Sequence, residues 1–457
     1  MNDHRLPSAF VGQMKVLLPT DFEAFAVALK SAPPVSIRLN RSKISSGGLS
    51  HLPLKEKVSW HPDAYYLTER PNFTLDPLFH AGAYYVQEAS SMFLHEVLEQ
   101  SADRHRPLKI LDLCAAPGGK TTLIASWMPE GSILVANEVI KSRVSVLKQN
   151  LARWGHPGVF ACSYDPEAFL PLAGWFDLVV VDAPCSGEGL FRKNDLAPAE
   201  WSPENVALCA ARQKRILSVA QKLVNPKGQL IYSTCTYNKQ ENDLNAAWLG
   251  DEKGMMETRL EIPEQWGVSR REKGYQLYPH KVEGEGFYIT ALTQLEPVRA
   301  VEKRKKDFKK LAFAGRKELE VISGWINDNG EFVFMKTHDG QLFHAPAALV
   351  HDLLMLDFLL PHGVWLHETG QIKGKDYIPS HTLALQNNML KPGFPSIDLD
   401  DTQSLQYLKK ELNSIPAPEK GWYLARYKNL PLGWLRHLGN RFNNYYPTEQ
   451  RIRMEIG

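Results

Sequence analysis

Between Lys109 and Ser233, five short apolar runs alternate with helix-patterned stretches, and this alternation constrains the fold more than any other feature of the chain. The runs cover residues 110–113, 133–136, 159–163, 176–181 and 229–233. Each is too short for a helix and apolar at successive positions, which reads as a strand covered on both faces. Helical spacing of apolar residues holds up to Trp127 and again over residues 141–153. A longer helix opens with Ser202 as N-cap, Pro203 at its first position and Glu204 in its first turn. Its apolar residues Val206, Ala210, Leu217, Ala220 and Val224 recur with that spacing until residues 225–228 stop it. The pattern predicts an α/β, Rossmann-like fold, a parallel sheet with helices on both faces. Such sheets bind ligands at the carboxyl ends of their strands, near the reversal of strand order.

At 457 residues the chain exceeds one ordinary domain. The expected division is a small α+β appendage over residues 1–78, the α/β domain over 79–295, a basic linker over 296–318, and C-terminal domains over 319–390 and 391–457. The appendage is read from a helical pattern over residues 10–29 and an extended segment over 35–40. A last strand pair of the α/β domain is expected at 275–278 and 287–292, with further strands at 332–335 and 341–344.

No stretch reaches the roughly 18 uninterrupted apolar residues that span a membrane, and the first residues lack a secretory signal pattern. A cytoplasmic location without a membrane partner is expected. The five cysteines, Cys114, Cys162, Cys185, Cys209 and Cys235, are odd in number and nowhere spaced Cys-x-x-Cys. That argues against a disulfide framework and against a zinc site, so no metal is expected. A cysteine with a role here is a lone thiol doing chemistry. The net charge of +2 leaves a nucleic-acid partner open. The segment 299–317 is locally basic, with Lys303, Arg304, Lys305, Lys306, Lys309 and Lys310, and fits either a solvated linker or phosphate contact.

The first strand runs into Cys114-Ala-Ala-Pro-Gly-Gly-Lys120. Small residues and paired glycines let backbone N–H groups approach a ligand at a helix N-terminus. Gly119-Lys120-Thr121 invites a phosphate-loop reading, but that motif needs a glycine where Cys114 stands. Glu138 ends the second strand, where an acid can accept ribose hydroxyls, and Asp165 ends the third, where one can face an adenine amino group. Taken singly, either acid also suits a helix cap.

Residues 112–121, with Asp182-Ala-Pro-Cys-Ser-Gly187 and Ser233-Thr-Cys-Thr236, resemble the Nop/Sun family of RNA cytosine-5 methyltransferases. The likeness covers roughly residues 80–295, including Tyr84-Tyr-Val-Gln-Glu-Ala-Ser-Ser91. It implies a Rossmann-like S-adenosylmethionine-dependent methyltransferase domain. The cofactor would lie against Cys114, Ala115, Ala116, Pro117, Gly118, Gly119 and Lys120, with Glu138, Asp165 and Asp182 completing its site.

Carbon 5 of cytosine is a poor nucleophile, and thiolate addition at carbon 6 turns it into an enamine-like one. By position, either Cys185 or Cys235 could attack, since they end the fourth and fifth strands, neighbours in such a sheet. DNA enzymes use a Pro-Cys pair resembling Pro184-Cys185. The RNA family attacks through the Thr-Cys-Thr cysteine, which implies Cys235 as nucleophile and Cys185 as the residue that helps release product. Asp182 would hold the cytosine amino group or ring nitrogen. Lys193 reads as a site residue or a surface lysine. Cys162 and Cys209 read as structural, and Cys114 as a backbone contributor.

In the tail, Lys428-Asn-Leu-Pro-Leu-Gly-Trp434 and Arg441-Phe-Asn-Asn-Tyr-Tyr-Pro447 resemble the C-terminal domain of bacterial F-type 16S ribosomal RNA cytosine methyltransferases. That likeness implies a PUA-like RNA-binding domain over 391–457 and, as partner, 16S ribosomal RNA or the small ribosomal subunit; residues 1–78 are expected to bind RNA as well, and the protein is expected to be a monomer. Aromatic residues interleaved with Arg436, Arg441, Arg451 and Arg453 fit base stacking and phosphate contact, or simply a small domain's core. A transfer-RNA cytosine-5 methyltransferase and a non-catalytic assembly factor are the alternatives.

Overall fold

The structure, a computed structural model, describes residues 6–296, 309–374, 376–386, 389–412, 415 and 419–454. Four sheets succeed one another along the chain. The first contains β1 (Val35–Leu39), β2 (Leu54–Lys57), β3 (Ala64–Leu67) and β4 (Tyr84–Val86), in the order β2-β3-β1-β4. Its fourth strand lies beyond residue 78, so the N-terminal unit takes in part of the Tyr84–Ser91 segment that the motif pattern grouped with the α/β domain.

The second sheet holds β5 (Lys109–Asp112), β6 (Ile133–Asn137), β7 (Val159–Cys162), β8 (Phe176–Asp182) and β9 (Val224–Thr234). It continues with β10 (Met255–Glu257), β11 (Ser269–Arg270), β12 (Tyr275–Leu277) and β13 (Phe287–Gln294). The strand order is β11-β12-β13-β9-β8-β5-β6-β7, with β10 on β13. Strands β5 to β9 pair in parallel, whereas β13 joins β9 antiparallel. Chain order reverses at β5, which has β6 on one side and β8 on the other; this crevice is where the sheet architecture puts a ligand. The alternation read from sequence is therefore present, with one difference. Residues 225–228 do not precede β9; they lie inside it, where Lys227 takes φ 67°. Val224 already pairs with Phe176, and the register slips before Gln229 meets Leu178. The turn chemistry was legible, but the strand resumes because both flanks have partners on β8.

One face of this sheet packs Ile110, Leu134, Leu178 and Ile231 against Trp60, Phe93, Val97 and Leu123. The other packs Leu111, Val135, Val179 and Leu230 against Phe169, Leu217, Leu353 and Leu356. Each such fully buried side chain contributes about 1.5–3 kcal/mol. The N-terminal helices Ser8–Leu17 and Phe22–Ala28 bury Phe10, Met14 and Phe25 on Phe191, Trp201, Tyr237 and Tyr278, beside the loop that follows β9.

The third sheet holds β14 (Ala312–Phe313), β15 (Phe332–Lys336), β16 (Gln341–Pro346), β17 (His367–Lys373) and β18 (Asp376–Pro379). The fourth holds β19 (Ser396–Asp398), β20 (Gly421–Tyr427), β21 (Leu430–His437) and β22 (Phe442–Asn444). The two ends of the chain share a core: Ile37, Leu39, Tyr84 and Leu78 pack with Tyr407, Leu432, Leu435 and Tyr446. In the tail, Trp434 is fully buried and donates to the Ser380 carbonyl (2.7 Å), within a cluster that includes Trp325, Tyr377 and Phe394. These aromatics are core. Half-buried Trp422 carries the Arg436 guanidinium 5.3 Å above its ring. Of the basic linker, Arg299 and residues 303–306 lie outside the described residues, while the Lys309 and Lys310 backbone N–H groups bond Asp357. No helix among the described residues is long and apolar enough to cross a membrane.

Candidate active site

The loop after β5 lies in the crevice between β6 and β8. Leu113 donates its N–H to the Val180 carbonyl (2.9 Å) and Ala115 to that of Asn137 (2.8 Å), so the loop is held from both neighbouring strands. Gly118 sits at φ 111°, where a side chain is strained, and an added Cβ would meet Leu147 at 3.3 Å. The helix Gly119–Trp127 starts there, with its free N–H groups turned back to the loop. A cavity of about 190 Å³ opens against Cys114, Ala115, Ala116, Pro117, Gly119, Lys120 and Asp182. Its remaining wall is N-terminal: Tyr85, Val86, Gln87, Glu88 and Ser91.

Lys120 Nζ donates to Asp182 Oδ2 at 2.8 Å, and Ser233 Oγ donates to Asp182 Oδ1, also at 2.8 Å. Burial works against the Lys120 charge, but Asp182 outweighs it and the ammonium pKa is raised. Both oxygens of Asp182 are thus fixed at the end of β8. Behind them Asp112 is buried, accepting from Thr121 Oγ1 (2.6 Å), with Oδ1 unpartnered. Burial pushes this carboxyl up to about 7.

Cys185 and Cys235 come together. Their Sγ atoms are 2.8 Å apart, and the Cys235 N–H donates to Cys185 Sγ at 3.3 Å. The parallel pairing of Asp182 with Ser233 sets this register, so the loops leaving β8 and β9 emerge side by side. The Cys235 sulfur, followed by burial, raises the Cys185 thiol well above its ordinary range, so Cys185 keeps its proton near neutrality. The other cysteines are elsewhere. Burial raises Cys114 and Cys162, and Cys162 sits at the end of β7 beside Asn137. Buried Cys209 contacts Asn205 and Arg212 along its own helix.

Two buried acids that sequence reading passed over hold the cysteine loops. Glu188 Oε2 accepts the N–H groups of Tyr237 (2.8 Å) and Asn238 (3.1 Å). Its Oε1 accepts Gln13 Nε2, Trp201 Nε1 and Asn238 Nδ2 at 3.0, 3.1 and 3.1 Å. Glu241 accepts the Ser186 N–H (3.0 Å) and hydroxyl, Gln213 Nε2 (2.6 Å) and Asn238 Nδ2 (2.7 Å). The Cys185 loop and the Cys235 loop are therefore tied through Ser186, Glu241, Asn238 and Glu188. The available signal was an acid inside the glycine-flanked Ser186-Gly-Glu-Gly189 turn.

The two ribose and adenine candidates differ in placement. Glu138 directly follows β6, buried, with Oε1 accepting the Ile140 N–H (2.9 Å) and Oε2 3.2 Å from Arg143, whose other nitrogen holds the Ala116 carbonyl (2.6 Å). It is one side chain away from the loop. Asp165 caps the turn Pro166–Leu172 and pairs with Arg215 through both oxygens at 3.1 Å. About half exposed and absent from the cavity wall, it occupies the capping role open to such an acid. Lys193 Nζ lies 4.0 Å from Glu285 Oε1, a third of its side chain exposed. No group of His, Cys, Asp and Glu among the described residues has the arrangement of a metal site.

A family profile described as 16S rRNA methyltransferase RsmB/F matches residues 97–293. The N-terminal domain profile of 16S rRNA methyltransferase RsmF matches 6–89, and the RsmF PUA domain profile matches 394–452. Residues 97–293 are thus a methyltransferase domain of the RsmB/F type, flanked by segments that match the N-terminal and PUA domains of RsmF. The chain is an RNA methyltransferase that uses S-adenosylmethionine. Relatives include the ribosomal RNA small subunit methyltransferase F of Escherichia coli O9:H4 (strain HS), 29% identical over 97% of this chain and 96% of that protein. The protein of the same name from Salmonella arizonae is 29% identical over the same shares. Among solved structures, a methyltransferase homolog from Pyrococcus horikoshii has a TM-score of 0.55 at 26% identity, covering 64% of this chain and 96% of that one. NSun6 from Pyrococcus horikoshii, solved with SFG, shares the fold with a TM-score of 0.53 at 22% identity, over 64% and 98% of the two chains.

The residues present fit such a cofactor. Gly118 keeps a cradle that a Cβ would crowd, and an added Cβ at Gly119 would meet the Tyr85 ring at 3.4 Å. The loop offers backbone donors at a helix N-terminus, and acidic side chains stand just past the end of β6 and at the end of β8.

Proposed function

We propose that this enzyme methylates carbon 5 of a cytosine in 16S ribosomal RNA, through a covalent bond between Cys235 Sγ and carbon 6 of the base. The reading rests on the 2.8 Å contact between Cys185 and Cys235 at the end of β8 and β9. A methyltransferase acting on an exocyclic nitrogen needs no thiol, still less two in contact.

In this reading Cys114 to Lys120 and Glu138 hold the cofactor, which supplies an electrophilic sulfonium methyl. Asp165 remains a candidate only if its Arg215 partner releases it. The Cys235 thiolate adds to carbon 6, and the electron pair of the ring's 5,6 double bond becomes available at carbon 5. Asp182, held by Lys120 and Ser233, receives the cytosine amino or ring-nitrogen edge and steadies the charge that develops as sulfur adds. After carbon 5 is methylated, its proton passes to solvent water, the electron pair of the carbon 5–hydrogen bond restores the 5,6 double bond, and the carbon 6–sulfur bond breaks to expel Cys235 as thiolate. Cys185, whose sulfur lies 2.8 Å from that of Cys235, assists that release by donating its S–H to the departing thiolate. The target base must leave its stack to reach this crevice. Residues 1–78 and 391–457, which share a core, would contact RNA together beside a monomeric catalytic domain in the cytoplasm.

The experiment is to map 5-methylcytosine by bisulfite sequencing in cells with and without the gene. A methylated 16S cytosine disappears if the reading holds. Unchanged 16S RNA with altered transfer RNA would overturn it in favour of a transfer-RNA substrate.

A further inference from the structure

The N-terminal unit carries a buried cation with no acidic hydrogen-bonding partner. Arg38, on β1, is fully buried, and every hydrogen bond it makes goes to a neutral group. Its Nε donates to Gln87 Oε1 (3.1 Å), and its Nη2 to Thr122 Oγ1 (2.6 Å) and the Gly119 carbonyl (3.2 Å). Its Nη1 reaches the Thr122 carbonyl at 3.4 Å, and the guanidinium lies 4.4 Å over the Trp154 ring. Burying a charge this way costs several kcal/mol, and a neutral side chain would pack the same interface at less cost. The expense goes to one place, the first turn of the helix that begins at Gly119. Thr122 Oγ1 passes the contact on, donating to the Gly118 carbonyl at 2.8 Å.

We infer that Arg38 is a positioning residue for the cofactor: through Thr122 it fixes Gly118 and Gly119, so the N-terminal unit shapes the S-adenosylmethionine site and not only an RNA surface. The inference rests on the reading that residues 114–120 hold the cofactor. Two further observations agree. Tyr85 and Gln87 of the same unit wall the cavity, and the Tyr85 hydroxyl donates to the Pro117 carbonyl (3.4 Å). Asn40 and Lys43, next on the chain, anchor the unit to the far end of the helix Lys141–Trp154 through the carbonyls of Trp154 (2.9 Å) and Arg153 (2.8 Å). Residues 38–43 therefore grip the helices that follow β5 and β6, on both sides of the loop.

The test uses the full chain, S-adenosylhomocysteine as probe and calorimetry as readout, with KM measured separately for S-adenosylmethionine and RNA. Thr122→Val keeps the side-chain shape and removes the relay oxygen, Thr122→Ser keeps the oxygen, and Arg38→Lys keeps charge but loses the planar fork. The Kd for S-adenosylhomocysteine and the KM for S-adenosylmethionine should rise about tenfold in Thr122→Val and Arg38→Lys, with the KM for RNA within twofold. Thr122→Ser should stay near wild type. Unchanged cofactor affinity in either folded variant, or a rise confined to the RNA term, overturns the inference; if Thr122→Val does not fold, Arg38→Lys decides. Gly119→Val, which puts bulk into the loop itself, serves as control. If it leaves S-adenosylhomocysteine binding intact, the loop reading itself falls and takes the inference with it. If it alone weakens binding, only the role of Arg38 is lost.

Discussion

Replacing Glu188 by Gln should separate the folding of the cysteine loops from the chemistry they perform. The carboxylate of Glu188 is buried and accepts five hydrogen bonds, two on Oε2 and three on Oε1. A glutamine has one acceptor oxygen, and its NH₂ must face one of the two donor sets. In the less damaging orientation the Tyr237 and Asn238 N–H groups lose their acceptor. Each buried donor left unpaired costs about 1–3 kcal/mol, so the loss of stability should be about 2–4 kcal/mol after local relaxation. These N–H groups lie two and three residues beyond Cys235, so the sulfur should lose its fixed position as well. Denaturant unfolding gives the first quantity, and single-turnover methylation with donor affinity gives the second. A rate loss of tenfold or more with donor affinity within twofold is expected, since a 1 Å misplacement of a reacting group costs on the order of 100-fold. A Glu188→Gln protein within about 0.5 kcal/mol of wild type, methylating at full rate, would refute the claim that this acid organises the site.

Asp112 gives a pH signature. Its folded pKa of about 7 lies above the unfolded value of 3.8, so the folded chain holds the extra proton between them. The stability this contributes is full below about pH 4 and is lost as pH rises through about 7. Asp112→Asn, neutral throughout, should therefore gain stability relative to wild type as pH rises from about 4 to about 7 in thermal unfolding; a constant difference would contradict the assignment. Gly286→Ala places a Cβ 2.3 Å from the hydroxyl of fully buried Tyr237. It should cost about 1–3 kcal/mol by overpacking and slow methylation, read from the same unfolding and turnover assays.

How much of this was legible follows from the range of the interactions. The strand ends were readable because apolar runs stop where the sheet stops, and adjacency of Cys185 and Cys235 followed from neighbouring parallel strands. Asp165 reads in sequence as a strand end, but β7 stops at Cys162 and Asp165 caps the next turn; its partner, Arg215, is 50 residues away on another helix, and no local pattern points to it. Glu188 escaped notice for the same reason: Gln13, one of its donors, is 175 residues distant. Arg38 lies in a segment read only as extended, and the folded chain alone shows it entering the Gly119 turn. The tail aromatics were ambiguous in sequence because stacking platforms and small cores draw on the same residues. Trp434 and Tyr446 prove to be core, shared in part with the N-terminal sheet.

The central claim is that Cys235 bonds to the base while Cys185 lets it go. Cys185→Ala protein, mixed with 16S RNA and S-adenosylmethionine, should give a denaturant-stable protein–RNA species, and nuclease and protease digestion followed by mass spectrometry should find a methylated cytidine on the peptide containing Cys235. Adding Cys235→Ala should abolish the species. A modified peptide that lacks Cys235, or no adduct from a folded, cofactor-binding Cys185→Ala protein, would contradict the account.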